Sequence, residues 1–441
     1  MLHKAVDKEM LRGIREKLNQ GMLPQWVGSD PEIYRLELEK IFARTWNFLG
    51  HESELAEPGS FITRWIVNDP ILIVRNKENQ IKGFFNSCTH RGTRLCTADH
   101  GNKKTFLCPF HGWTFDLDGE LVGIVAGDMA YGEHLDRKEW ALRPIPRLET
   151  HKGMIFGSLD PDAMPLDQFL GGLAWYWDLF FSRSDQGLEV RGTPQRWILH
   201  THWKQGAENF GDPYHAITSH RSTMEVGNRP KTALLSAYGN MIVLEHGHGL
   251  SITNGPPGVQ IPPYQALPEN LHSMFQRNLS GDQLNIFRNS FVNVGTCFPN
   301  LSWVSPVHGS GEQSVSYINF RVWRPLSPDT IEICSWFMID KEAPEEYKEA
   351  SYRAYIRDFG PAGNLEQDDM EIWTRVTEAS KGFMARNKDL NYNNVLNYAM
   401  GLHHTKPLED WPGPGTAYGT TLVDAISRGF YNYWIELLDQ E

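Results

Sequence analysis

The sequence predicts an α+β fold, with an all-β domain inserted ahead of a larger domain whose antiparallel sheet is packed by helices. Three observations predict it. Short strand patterns bounded by turn residues run from about Trp46 to Asp160-Pro161. Longer period-two runs then dominate to about residue 340. Helical patterns stand before the first set and after the second, so the helices at both ends belong to one domain. The implied limits are 1–45 for N-terminal helices of the larger domain, 46–160 for the inserted domain and 161–441 for the rest of the larger one. A chain of 441 residues exceeds one ordinary domain, and each part is long enough to enclose a core.

Asp30-Pro31 opens a helix, with Asp as cap, Pro at the first position, and Tyr34, Leu38, Ile41 and Phe42 on one face. In the inserted domain, Phe61–Val67 and Ile71–Val74 flank Asn68-Asp69-Pro70, and Ile81–Phe85 leads into Cys88. Trp113–Leu117 and Glu120–Ile124 are separated by Asp118-Gly119, a two-residue hairpin signal, and Gly153–Leu159 closes the domain. Asn300–Val307, Ser314–Pro325 and Thr330–Asp340 read as strands. In the last of these Ile331, Ile333, Phe337 and Ile339 share a face. Thr421–Leu438 returns to helical spacing, and its stripe of Leu422, Ile426, Phe430 and Leu437 reads as core. Asn254–Pro268, rich in Pro and Gly, reads as an ordered surface loop, equally an entrance lid or a plain connector.

Cys88-Thr89-His90 is followed, after seventeen residues, by Cys108-Pro109-Phe110-His111. Both pairs fall at the tips of strand-linked loops, where two loops can clasp one centre. Zinc accepts two thiolates and two imidazoles, but its usual order groups the cysteines and then the histidines. A Rieske [2Fe–2S] centre fits the paired order better, since one iron takes two cysteines and the other two histidines. Gly92 and Gly112 come just after the histidines. Respiratory versions carry an extra cysteine near each pair; here Cys96 is the lone extra thiol nearby, which points to the oxygenase type.

Downstream, Asp212-Pro213-Tyr214-His215-Ala216-Ile217-Thr218-Ser219-His220 has the form D-x2-H-x4-H. Two histidines and one carboxylate make the facial triad of non-haem Fe(II) oxygenases, which leaves positions open for oxygen and substrate. Five residues turn the second side chain about 140° from the first on an ideal helix. Convergence therefore requires a π-type bulge or a helix end between them. Alone, such a pair is more often structural; after a cluster motif it becomes the favoured ligand pair. Glu366, Asp368, Asp369 and Glu371 all compete for the third position. Acidic residues also gather at helix N-termini for the dipole alone, and spacing does not choose among the four.

Composition excludes several classes. Lys+Arg 42 against Asp+Glu 54 gives −12, which disfavours nucleic acid and anionic membrane surfaces as partners. Hydrophobic content of 40% and charged content of 22% describe a soluble globular chain. Met1–Glu9 carries charges where a signal peptide needs an apolar core, and no uncharged run approaches the roughly twenty residues of a membrane helix. With two of five cysteines in the cluster motif, Cys96, Cys297 and Cys334 read as buried thiols of a protein in the reducing cytoplasm.

Taken together, the chain resembles the large (α) subunit of Rieske non-haem iron aromatic ring-hydroxylating dioxygenases over nearly its whole length. The likeness rests on Cys88-x-His90, Cys108-x2-His111, His202-Trp203-Lys204, Ala207-Glu208-Asn209-Phe210 and Asp212-x2-His215-x4-His220. Phe359-Gly360-Pro361-Ala362-Gly363 leading into Glu366-Gln367-Asp368-Asp369 adds to it. The resemblance implies a helix-grip-like catalytic domain, a [2Fe–2S] cluster on Cys88, His90, Cys108 and His111, and a mononuclear Fe(II) on His215, His220 and Asp369. It also implies that Asp212 bridges His111 of an adjacent chain to His215, in a ring of three, and that Asn209 stands near the iron. The interval from Asn209 to Asp212 is one residue shorter than the family pattern.

The implied activity is addition of both atoms of O2 to one ring edge, giving a cis-dihydrodiol. Electrons come from NAD(P)H through a separate reductase and ferredoxin, since Gly413-Pro414-Gly415 lacks the strand–helix setting of a dinucleotide site. The implied partner is a small β subunit, in an α3β3 assembly. Phe210, Pro213, Ala216, Ile217, Phe359 and Leu365 are the candidate pocket walls, all apolar, which favours an uncharged and even polycyclic arene. An aromatic acid needs a cation, and the nearest are Lys204 and Arg221. A Rieske monooxygenase or demethylase uses the same two sites, and a cluster-bearing electron carrier uses only the first.

Overall fold

The computed structural model describes residues 6–225, 237–255, 258, 261–309, 314–389 and 394–440. Parts of two stretches singled out above, Met1–Glu9 and Asn254–Pro268, lie outside the described residues. The chain separates into two compact units, Phe42–Leu166 and the remainder, and the 46–160 segment lies inside the first.

The Phe42–Leu166 unit is all-β apart from short helical turns. Strands Ile81–Phe85, Asp69–Arg75, Ser60–Ile66 and His100–Asn102 form one antiparallel sheet in that order. Two three-stranded sheets accompany it, Phe106–Leu107 with Thr114–Phe115 and Leu121–Gly123, and Arg147–His151 with Met154–Ser158 and Asn47–His51. Strand Asp69–Arg75 shows why the pattern is strand-like. Ile71 and Ile73 enter one core with Leu49, Ile62 and Ile155, while Leu72 and Val74 enter another with Phe84, Cys88, Cys108 and Trp113. Alternate side chains thus fill opposite faces of one sheet.

The Asp118-Gly119 hairpin is wider than its two-residue signal. The Asp116 carboxylate accepts the N–H groups of Asp118 and Glu120, at 3.0 and 2.9 Å, so the turn spans Asp116–Glu120 and the strands shrink accordingly.

Among the described residues of the larger unit, nine strands form one antiparallel sheet. Its order is Leu188–Val190, Thr330–Asp340, Ile318–Ser327, Leu301–Ser305, Val292–Cys297, Gly249–Thr253, Gly239–Val243 and Thr416–Tyr418, with Gln195–Leu199 also paired to Thr330–Asp340. Thr330–Asp340 has the expected limits, but Cys334, Trp336 and Met338 are buried along with the predicted face, because the strand is covered on both sides. Ser314–Pro325 is split, its start pairing as Val315–Ser316 with Val307–His308. Helix Ala425–Asp439 packs Ala425 and Ile426 against Met241 of the sheet.

Helix Pro31–Glu37 is capped by Asp30, which accepts from Glu32 and Ile33 N–H. Its innermost positions are Ile33 and Glu37 instead of Tyr34 and Leu38, since Glu37 is drawn in by Lys204 and two indoles. Among the described residues no helix is long and apolar enough to cross a membrane.

Candidate cluster and metal centres

Each Cys-His pair sits on a loop of the same construction. Cys88 N–H donates to the Thr93 carbonyl and Gly92 N–H to the Cys88 carbonyl; Cys108 and Gly112 repeat this with Trp113 and Cys108. Gly92 and Gly112 have φ of +73° and +72°, the left-handed conformation that lets each loop close. The two loops bring His90 and His111 to a ring separation of 4.6 Å, with His90 stacked on Trp113.

The cysteines are 2% exposed and His111 is exposed, so the centre has a sulfur end in the core and an imidazole end at the surface of its unit. Burial pushes the Cys88 thiol up and holds His90 below its ordinary value, the nearby His111 adding to the latter. His90 Nε2 lies 3.3 Å from the Tyr131 hydroxyl, while its buried Nδ1 has no hydrogen-bond partner among the described residues. A buried orphan nitrogen on a ring beside a second imidazole, on loops that also carry two core thiols, suits a metal cluster.

The second centre is built where a helix ends. His215 has helical φ and ψ and precedes the short helix Ala216–Ser219; His220 leaves it at φ −97°, ψ 16°, and a new helix starts at Arg221. This break replaces the 140° divergence of a continuous helix, and the two rings stand 5.3 Å apart. Asp369, on helix Asn364–Ser380, completes the group. Its Oδ1 is 3.6 Å from His215 Nε2 and 3.5 Å from His220 Nε2, and all three donor atoms lie within 4.8 Å of one another. Asp369 Oδ1 is buried with no hydrogen-bond partner among the described residues, and the donor set of two imidazoles and a carboxylate fits a divalent iron.

The far nitrogens are held as well. His215 Nδ1 donates to the Asp212 carbonyl oxygen, and His220 Nδ1 lies 3.3 Å from Asp368 Oδ2. Both contacts keep the proton on Nδ1 and leave the Nε2 lone pair facing the centre. The four acidic candidates are thus separated by their partners. Asp369 faces both histidines, Asp368 orients His220, buried Glu366 pairs with Arg321, and exposed Glu371 pairs with Arg375. Burial pushes Glu366 up to about 7, against the lowering pull of Arg321.

Asn209 Nδ2 is 3.4 Å from His215 Nε2. The Asp212 carboxylate, 34% exposed, accepts from Tyr214 N–H and lies 3.8 Å from His215 Nδ1. Among the pocket candidates Phe210, Pro213, Phe359 and Leu365 are buried, while Ala216 and Ile217 are partly exposed. Phe210 and Phe359 both lie against the Arg321 guanidinium, at 5.4 and 4.9 Å. Lys204 is buried on Glu37, and Arg221 is 73% exposed and paired with Glu225, so each of the two nearest cations in sequence already has a carboxylate partner.

Neither the orienting role of Asp368 nor the place of Arg321 at the centre is evident from the sequence alone. Glu208 is a third such residue. It accepts from the Tyr398 and Tyr431 hydroxyls at 2.7 to 2.9 Å, and burial pushes its carboxyl up to about 7. The available signal for Arg321 was a charge in the middle of an apolar strand.

The Rieske [2Fe-2S] domain family matches residues 45–129, and the ring hydroxylating alpha subunit (catalytic domain) family matches residues 189–392. Full-length relatives include the biphenyl dioxygenase α subunit of Paraburkholderia xenovorans, 32% identical over 98% of this chain and 94% of that one. Another is the N,N-dimethyl phenylurea N-demethylase α subunit of a Sphingobium species, 31% identical over 96% and 93%. The crystal structure of naphthalene 1,2-dioxygenase from a Rhodococcus species, bound to indole, superposes with a TM-score of 0.94 at 41% identity, covering 98% of both chains. The chain therefore belongs to the Rieske ring-hydroxylating dioxygenase α subunits, oxidoreductases that combine a [2Fe–2S] domain with a mononuclear-iron catalytic domain and draw electrons from a reductase.

Proposed function

We propose that this subunit adds both atoms of O2 to an uncharged aromatic ring to give a cis-dihydrodiol, with His215, His220 and Asp369 holding the iron and Cys88, His90, Cys108 and His111 the cluster. The observation that carries the reading is the convergence of those three donors, each imidazole turned by a partner on its far nitrogen. When bound, the iron supplies oxygen activation with positions left open, and the cluster supplies electrons.

The chain's own residues do the rest. The Asp212 carbonyl and Asp368 keep both imidazoles in the ligating tautomer. Phe210, Pro213, Ala216, Ile217, Phe359 and Leu365 offer an apolar surround that orients a ring and excludes water. The carboxylate partners of Lys204, Arg221 and Arg321 support a neutral substrate, because a substrate carboxylate would have to displace one of them. The naphthalene- and biphenyl-acting relatives favour a polycyclic or biaryl ring.

The assembly is α3β3 with a small β subunit in the cytoplasm, and NAD(P)H reaches it through a reductase and ferredoxin. Exposed Leu107, Phe110 and Val125 beside the His111 loop, 60%, 60% and 68% exposed, support burial of that end against a neighbouring copy. There the partly exposed Asp212 carboxylate would link His111 of that copy to His215. The demethylase relative favours a second reading, insertion of one oxygen atom. Turnover of naphthalene under 18O2 with the reductase system decides between them. Two labelled atoms in a diol support dioxygenation, and one labelled atom in an alcohol favours the alternative.

A further inference from the structure

Arg321 stands inside strand Ile318–Ser327 with no exposed surface. Its Nε donates to Asn319 Oδ1 at 2.7 Å, its Nη2 donates to the Phe359 carbonyl at 3.0 Å, and its Nη1 pairs with Glu366. The rings of Trp197, Phe210, Trp323 and Phe359 surround the group, 4.9 to 5.8 Å from Cζ.

These partners belong to separate parts of the metal centre. Glu366 precedes Asp369 by three residues on helix Asn364–Ser380, so the two share a face, and both are buried. Phe359 ends helix Glu345–Phe359, just before the turn into the ligand helix. Phe210 follows Asn209 and leads into the His215 segment. One rigid fork therefore ties the sheet to the ligand helix, to the turn before it and to the segment carrying the histidines. A lysine, with one charge point on a flexible stem, makes at most part of this set. A buried ion pair is also a poor device for stability alone, because apolar residues of similar volume usually replace it at little loss.

We propose that Arg321 is a positioning residue: it fixes the rotation of the Asn364–Ser380 helix that turns Asp369 toward His215 and His220, and it seats Phe210 and Phe359 at the substrate space. This rests on the reading of the triad as the iron site.

The test uses the iron-loaded oxygenase with its reductase system and naphthalene as probe. Wild type, Arg321→Lys, Arg321→Met and the double variant Arg321→Met/Glu366→Leu are compared. Sulfide content, melting temperature, the spin resonance of the ferrous nitrosyl adduct and product formed per O2 consumed are read in each. The double variant removes both charges, so its melting temperature recovers part of the loss seen in Arg321→Met, while Asn319 Oδ1 and the Phe359 carbonyl stay without their donor. Its coupling of O2 to product stays depressed by about ten-fold or more, with an altered nitrosyl line shape. Arg321→Lys retains sulfide and iron and shows a smaller change in the same direction. Recovery of coupling and line shape together with melting temperature in the double variant would overturn the proposal, as would a wild-type line shape and coupling in Arg321→Lys. If wild type itself gives no nitrosyl signal, the iron reading fails instead.

Discussion

Lys204→Met removes the cation from a pair that solvent does not reach. Lys204 Nζ lies 2.5 Å from Glu37 Oε1, and the two residues are 1% and 0% exposed. Breaking a buried pair from one side costs about 3–5 kcal/mol, because the remaining charge is left in low dielectric. Glu37 keeps the Trp203 and Trp434 indole N–H groups, each at 2.8 Å. These offset about 1 kcal/mol of that loss, so the net destabilisation is roughly 2–4 kcal/mol. In a unit of this size that lowers the melting temperature by roughly 5–10 °C. Calorimetry of the holoenzyme measures it, alongside competition between a neutral and a carboxylated arene. Adding Glu37→Gln removes the stranded charge and restores part of the loss. A Lys204→Met variant that melts with wild type, or that changes the neutral-to-acid preference, would refute the assignment of Lys204 to the core.

Three further outcomes are expected. Asp368→Asn weakens the hold on His220 and speeds iron loss to a chelator about 10–100-fold, whereas Glu371→Gln, on an exposed pair, leaves it unchanged. Asp212→Asn keeps both metals but loses electron transfer between them, read by rapid-mixing reoxidation of the reduced cluster; normal transfer would remove the bridge from the account. Glu208, raised from 4.5 to about 7, binds a proton in the folded state that the unfolded chain releases. Its stabilising contribution is full below about pH 4.5 and is lost as pH rises through about 7, with a ceiling of roughly 3 kcal/mol. Glu208→Gln should therefore flatten the fall in melting temperature across that window, and an unchanged slope would count against the burial argument.

Much of this architecture is legible because chemistry and period leave marks in sequence. Thr330–Asp340 alternates, and its limits follow; Cys88, His90, Cys108 and His111 announce a centre because so few residue types bind metal. What escapes is what depends on partners far along the chain. Apolar periodicity places Tyr34 and Leu38 inward, yet Glu37 is the buried position, because Lys204, Trp203 and Trp434 compensate its charge. The run Glu366 to Glu371 offers four carboxylates of equal standing until Arg321, His220 and Arg375 each claim one. The i, i+5 histidines needed a helix end that local propensity does not specify. Asp118-Gly119 misleads because the Asp116 side chain, two residues upstream, captures the turn.

In the proposed function one chain holds a cluster at the Cys–His loops and a separate iron at His215, His220 and Asp369. Anaerobic purification followed by iron, zinc and acid-labile sulfide analysis, with the spin resonance of the reduced protein, tests it most directly. The expected result is about three irons and two sulfides per chain with a rhombic Rieske-type signal, falling to about two irons with the signal intact in Asp369→Ala. Zinc without sulfide, or an iron content that Asp369→Ala does not lower, would contradict it.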